Sequence, residues 1–128
     1  LRNPFRFTIN KQTNIPFIGD VGWKTWEEVN TGRGVNFGWP YYEGGNGTSV
    51  QQPEYANLQP AINFYASGAA VTAPTYGYTH SGSNAIVMGD FYTGNTLPSI
   101  YQGSLFIADA SQGTVSHAQC PLPSTKGE

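Results

Sequence analysis

The sequence is short of several things that would fix its chemistry at once. It has one cysteine, Cys120, and two histidines, His80 and His117, in 128 residues. A lone thiol forms no disulfide within the chain and no cysteine metal cluster. Charged residues make up 11% of the chain and the net charge is -2, which excludes the basic field that nucleic-acid binding needs. No apolar run approaches the roughly 20 residues of a membrane helix, and no charged-then-apolar leader opens the sequence. There is no G-x-S-x-G elbow, H-E-x-x-H pair or phosphate loop. With the two histidines far apart, nucleophile-base catalysis within this chain is not expected. No methionine precedes Leu1, so the N-terminus is expected to be processed or cut.

What the sequence does have is turn formers and aromatics: 16 glycines, 9 prolines and 14% aromatic residues. That pairing suits many short strands joined by tight turns. Phe5, Phe7 and Ile9 alternate with Arg6 and Thr8, predicting a half-buried strand. "IPFIGD", "PTYGYTH", "NAIVMGDFY", "SLFIAD" and "GTVSHA" follow as further strands separated by turn signals. All three tryptophans fall within "FIGDVGWKTWEEVNTGRGVNFGWP", 17 to 40, which carries five glycines. This stretch predicts a shaped loop region, with Trp23, Trp26 and Trp39 anchoring neighbouring sheets. In the adjacent acids Glu27 and Glu28, strand alternation sends one side chain each way; Glu27 is expected in solvent and Glu28 at a site or on local amides. Residues 44 to 73 read as a polar connecting excursion with a short strand near Ile62 to Tyr65, and 119 to 128 as a tail or linker. Asn46-Gly47-Thr48 fits the N-glycosylation acceptor pattern. Regular short strands fit a sandwich or a propeller, and periodicity alone does not choose.

Two ordered blocks go further. "LRNPFRFTIN", "FIGDVGWKTWEEVN" and "GVNFGWPYYEG", followed by "PTYGYTHSGSNAIVMGDFYTGNTLPSIYQGSLFIADASQGTV", resemble the glucose/sorbosone dehydrogenase family, the soluble quinoprotein sugar dehydrogenases and their relatives. The resemblance implies an all-β fold: antiparallel four-stranded blades of a six-bladed β-propeller, here an incomplete portion over 1 to 118. At roughly 40 to 50 residues per blade the chain would hold two to three. It also implies pyrroloquinoline quinone (PQQ) and Ca2+ in a central sugar-oxidising site, and an extracytoplasmic location.

Carried over residue by residue, Arg2 and Asn3 match the positions set against the quinone. A guanidinium suits anionic quinone oxygens, and an amide donates to a carbonyl. The carbonyls of Gly22 and Trp23 match ligands of the cofactor Ca2+, and Glu28 with the Phe37 carbonyl matches a second Ca2+ position; hard cations take oxygen donors of either kind. His80 matches a channel-facing histidine, while Asp90 and Asp109 read as turn formers. The family's catalytic histidine lies on an earlier blade, so no catalytic residue is expected in this chain. Ser111 stands near the place of an expected lysine. Two readings stay open: a portion of a PQQ-dependent sugar dehydrogenase, or a non-catalytic extracellular propeller module that binds carbohydrate or protein and has lost the cofactor. The partners implied are a sugar and, since a partial ring leaves strand edges open, a complementary chain or further copies of this one.

Overall fold

The computed structural model describes residues 1–81 and 84–119. Among the described residues seven strands form two antiparallel sheets. The first contains β1 (Pro4–Asn10), β2 (Ile15–Asp20), β3 (Trp26–Thr31) and β4 (Tyr76–Thr79) in sequential order; the second contains β5 (Ile86–Phe91), β6 (Ser104–Asp109) and β7 (Thr114–Gln119). No barrel closes. The all-β expectation therefore holds, with a four-stranded and a three-stranded sheet. Of the expected tail at 119 to 128, Gln119 ends β7 and the rest lies outside the described residues.

The two sheets face one another across a small core of Phe17, Val29, Ile86, Met88, Leu105 and Ile107. Register explains who faces inward. Gly19 pairs with Val29, and Met88 with Ile107. Gly19 lies so close under Met88 that a Cβ would meet its backbone nitrogen at 3.2 Å. Thr8, opposite Phe17, donates across the interface to Asp90 at 2.6 Å. Burying each of these apolar side chains contributes about 1.5–3 kcal/mol.

The same alternation turns Phe5, Phe7 and Ile9 away from the second sheet. They are 69%, 60% and 42% exposed. The strand is where the pattern placed it, but its apolar side is uncovered, contrary to the half-buried expectation. On the far side of the second sheet Tyr101, Phe106 and His117 stack on one another, and Val115 is 72% exposed.

Three local expectations are corrected. First, β3 runs through the stretch read as a shaped loop. Second, Ile62 to Tyr65 is helical: α1 spans Gln59–Ala66 with a proline in its first turn. That ring fixes φ at a helical value and needs no N–H there. Ala61 is buried, and Phe64 and Tyr65 stack on Tyr41 and Tyr42, a spacing of three and four that makes one helix face. Third, the tryptophans expected to anchor neighbouring sheets do not join the core between the two sheets. Trp23 and Trp39 meet edge to face, with ring centroids 6.1 Å apart, and both pack on Tyr55. Trp26 lies against Gly44, where the left-handed φ of 82° and the absent Cβ are both required. Among the described residues no helix is long and apolar enough to cross a membrane.

Candidate functional site

Glu27 and Glu28 lie at the end of the first sheet where β2 leaves and β3 enters. Glu27 and Glu28 do point to opposite faces, yet both are buried, so the expectation of a solvated Glu27 is corrected. Toward the second sheet, the Glu27 carboxylate accepts the N–H of Gly22 at 3.1 Å and of Ile86 at 2.8 Å, and shares a short hydrogen bond with His80 Nδ1. The backbone N–H of His80 donates to the Thr25 carbonyl. This one side chain ties the 22–25 loop, β4's exit and the start of β5 together.

Glu28 points the other way and pairs in register with Asp20. Its carboxylate accepts the Gly44 N–H and the Asn30 amide at 2.7 Å. Burial pushes Glu28 up to about 7, with the Asp20 charge adding to the rise and the Asn30 and Gly44 donors opposing it. Burial likewise raises Asp20 against the N–H groups of Arg2 and Asn3, which it accepts at 2.6–3.1 Å. Two like charges on neighbouring strands, both desolvated, are each held above the ordinary carboxylate range.

Between them lies a cavity of about 10 Å³ lined by Arg2, Asp20, Gly22, Glu28, Phe37 and Glu43, together with Val21, Trp39 and Tyr42. That is room for one water or one ion. Roomier cavities of about 300 and 260 Å³ lie elsewhere, and neither is lined by Arg2, Asn3, Gly22, Trp23, Glu28 or Phe37. Chemistry, not volume, marks the small one.

Within it, Arg2 Nη1 donates to the carbonyls of Val21 at 3.1 Å and Gly22 at 2.8 Å, and its guanidinium lies 5.9 Å from the centre of the Trp39 ring. The Gly22 oxygen is thus already engaged by a cation. Trp23 does not line the cavity; its N–H, with those of Lys24 and Thr25, goes to one oxygen of Glu43. Burial works to raise Glu43, but the Gln52 amide and these three N–H groups outweigh it and hold the carboxyl below its usual range. Asp20, Glu43 and Gln52 were not singled out in the sequence. Asp20 ends a strand and sits in register with Glu28, a pairing that only the fold reveals.

Asp109 behaves as expected of a turn former. One oxygen accepts the N–H groups of Ala85, Ser111 and Gln112 and the Ser111 hydroxyl, the other the Tyr78 hydroxyl. Burial opposes, but these donors bring it down to about 2. Asp90 lies at the opposite end of the sheets, on Thr8. Among the described residues no three His, Cys, Asp or Glu side chains converge in a metal-binding group.

No family model matches the sequence, and no solved structure matches it. Two curated relatives do, both from Arabidopsis thaliana: the HIPL2 protein, 37% identical over 117 residues, and the HIPL1 protein, 34% identical over 108. The matches cover 85% and 78% of this chain, but the chain spans only 16% and 15% of those relatives. These findings overturn the resemblance to the glucose/sorbosone dehydrogenases. The relatives carry the HIPL name and not that of a sugar dehydrogenase, and nothing supports oxidation by PQQ or the description of the chain as a quinoprotein or oxidoreductase. The names do not support the alternative of a carbohydrate- or protein-binding module either. Arg2, read as a quinone contact, spends its guanidinium on carbonyls of its own chain.

Proposed function

We propose that this chain is a cation-stabilised pair of radial sheets within a larger extracytoplasmic β protein of propeller type, a scaffold segment whose loop end is held in shape by a single Ca2+. The observation that carries the reading is the buried Asp20–Glu28 pair on a one-ion cavity. Two desolvated carboxylates that share only the Arg2 guanidinium as a nearby side-chain cation are unfavourable. A bound divalent ion supplies the missing charge, and Ca2+ accepts carboxylate, carbonyl and water oxygens in flexible numbers.

The fit is specific about residues. Asp20 and Glu28 would supply the charged donors, with Phe37 on the cavity wall. Gly22 keeps its oxygen on Arg2, whose positive charge favours the ionised form of Asp20, and Trp23 serves the loop through its N–H on Glu43. Gln52 and the backbone amides then keep Glu43 oriented. The outward face carrying Phe5, Phe7 and Ile9 and the edge of β7, unpaired among the described residues, are read as surfaces covered by neighbouring sheets of the longer protein. Contiguous exposed apolar patches on soluble domains mark such contacts, and the relatives are several times longer than this chain.

Calorimetric titration with Ca2+ at pH 8 tests the site. One ion is expected to bind, and at a hundredfold excess over Kd it adds about 2.7 kcal/mol to unfolding stability. Glu28→Gln abolishes both the heat and the rise in Tm. Titration without heat, and a Tm indifferent to Ca2+, would remove the cation from the account.

A further inference from the structure

The acceptor triplet Asn46-Gly47-Thr48 plays no part in the cation site, and its placement gives it a use of its own. Residues 44 to 50 form a projecting loop closed by Glu43 N–H on the Val50 carbonyl and Val50 N–H on the Gly44 carbonyl. Gly45 and Gly47, on either side of Asn46, have φ values of 100° and 71°, a reversal that lifts the intervening residue off the surface. Asn46, Gly47 and Thr48 are all exposed, and neither the Asn46 amide nor the Thr48 hydroxyl makes a hydrogen bond among the described residues. The base of the loop is fixed. Gly47 donates to the Pro74 carbonyl at 3.0 Å, and Gly45 lies so near Gly77 that a Cβ there would meet its carbonyl oxygen at 2.4 Å.

Gly77 belongs to β4, the last strand of the first sheet. An edge strand presents unpaired N–H and C=O groups and invites pairing with another chain. We infer that Asn46 is an N-glycosylation site and that its glycan shields the edge of β4 that has no strand partner among the described residues. In the reaction the Asn46 amide nitrogen bonds to C1 of the sugar of a lipid-diphosphate oligosaccharide. The C1–O bond breaks, the lipid diphosphate departs with its electron pair, and the amide proton passes to the transferase base. The threonine two residues on is the other half of the recognition element, and the residue between must not be proline. Glycan addition is bulky and solubilising and needs a surface position.

The inference rests on the extracytoplasmic location proposed above, and the experiment separates the two. The chain is translated behind a secretory leader in the presence of microsomes. A second acceptor triplet, made by Gly68→Asn with Ala70→Thr in the exposed turn after α1, reports delivery; asparagine tolerates the left-handed conformation at that glycine. One endoglycosidase-sensitive band shift is expected from the unmodified sequence. It is lost in Asn46→Gln and Thr48→Ala and kept in Thr48→Ser. Modification of the second triplet with Asn46 left bare would overturn the site. Enzymatic removal of the glycan is expected to lower the concentration at which the protein associates; unchanged association would overturn the shielding role. The location itself is read separately, by protease accessibility of the longer tagged protein in cells, and a cytosolic result would overturn that reading whatever the acceptor assay gives.

Discussion

Replacing Glu27 by alanine is expected to destabilise the protein by about 4 kcal/mol, enough to unfold a domain of ordinary stability. The side chain is fully buried and serves three donors on three elements: Gly22 in the loop, Ile86 at the start of β5, and His80 after β4. Alanine leaves the Gly22 and Ile86 N–H groups buried without an acceptor, at about 1–3 kcal/mol each, and opens a space between the sheets. Glutamine keeps one acceptor oxygen but turns an amide donor toward another donor, so about 2 kcal/mol is expected. Urea unfolding followed by tryptophan fluorescence measures both. Since Trp23 follows Gly22 in the loop, the fluorescence change should coincide with loss of strand signal in the alanine variant. A cost below about 1 kcal/mol, within the range of an ordinary surface change, would show that the carboxylate is not the link between the sheets.

The second large effect is a pH dependence of unusual sign. Glu28 ionises at its ordinary value of 4.5 when unfolded and at about 7 when folded. The folded protein therefore holds a proton that the unfolded chain releases, and the associated stability is fully present below pH 4.5 and lost as pH rises through 7. The loss amounts to about 3 kcal/mol by pH 8 without divalent cations. Asp20, also raised, works in the same direction. Asp109, held at about 2, works in the opposite one, and its contribution fades only as pH falls from about 4 toward 2. Glu28→Gln should remove most of the loss between pH 5 and 8, and the variant should be the more stable protein at pH 8 in chelator. Adding Ca2+ should reverse that ranking by stabilising the unsubstituted protein alone. Matching pH profiles for the two proteins in chelator would refute the buried charge pair.

The strands legible in the sequence were those whose surroundings are simple. "IPFIGD" and "SLFIAD" end where β2 and β6 end, because each alternates small or apolar residues toward one core and stops at an acid that collects backbone N–H groups, Asp20 those of Arg2 and Asn3, and Asp109 those of Ala85, Ser111 and Gln112. β3 was legible only in the alternation of Glu27 and Glu28, because "WEEVNT" buries Glu27, Glu28 and Asn30. With amide donors on both faces, a central strand loses the polarity contrast that periodicity detects. α1 was hidden by its length of eight residues and by Ile62 and Phe64, which favour strands; only Pro60 signalled the helix. The site divides in the same way. The resemblance marked Gly22, Glu28 and Phe37, which line one cavity, whereas Asp20 and Glu43 join it through strand register and a loop return that no spacing rule encodes. The wider resemblance failed for a different reason: similar blocks in a repeated β architecture carry packing requirements, and function does not travel with them.

The central claim is that both sheets were shaped to be sandwiched between further sheets. Light scattering on the isolated 128-residue chain across a concentration series tests it most directly. Self-association that grows with concentration, and that recedes when Phe5 and Phe7 are replaced by serine, is the result this account predicts. A monodisperse monomer at every concentration, unfolding in one cooperative transition, would contradict it.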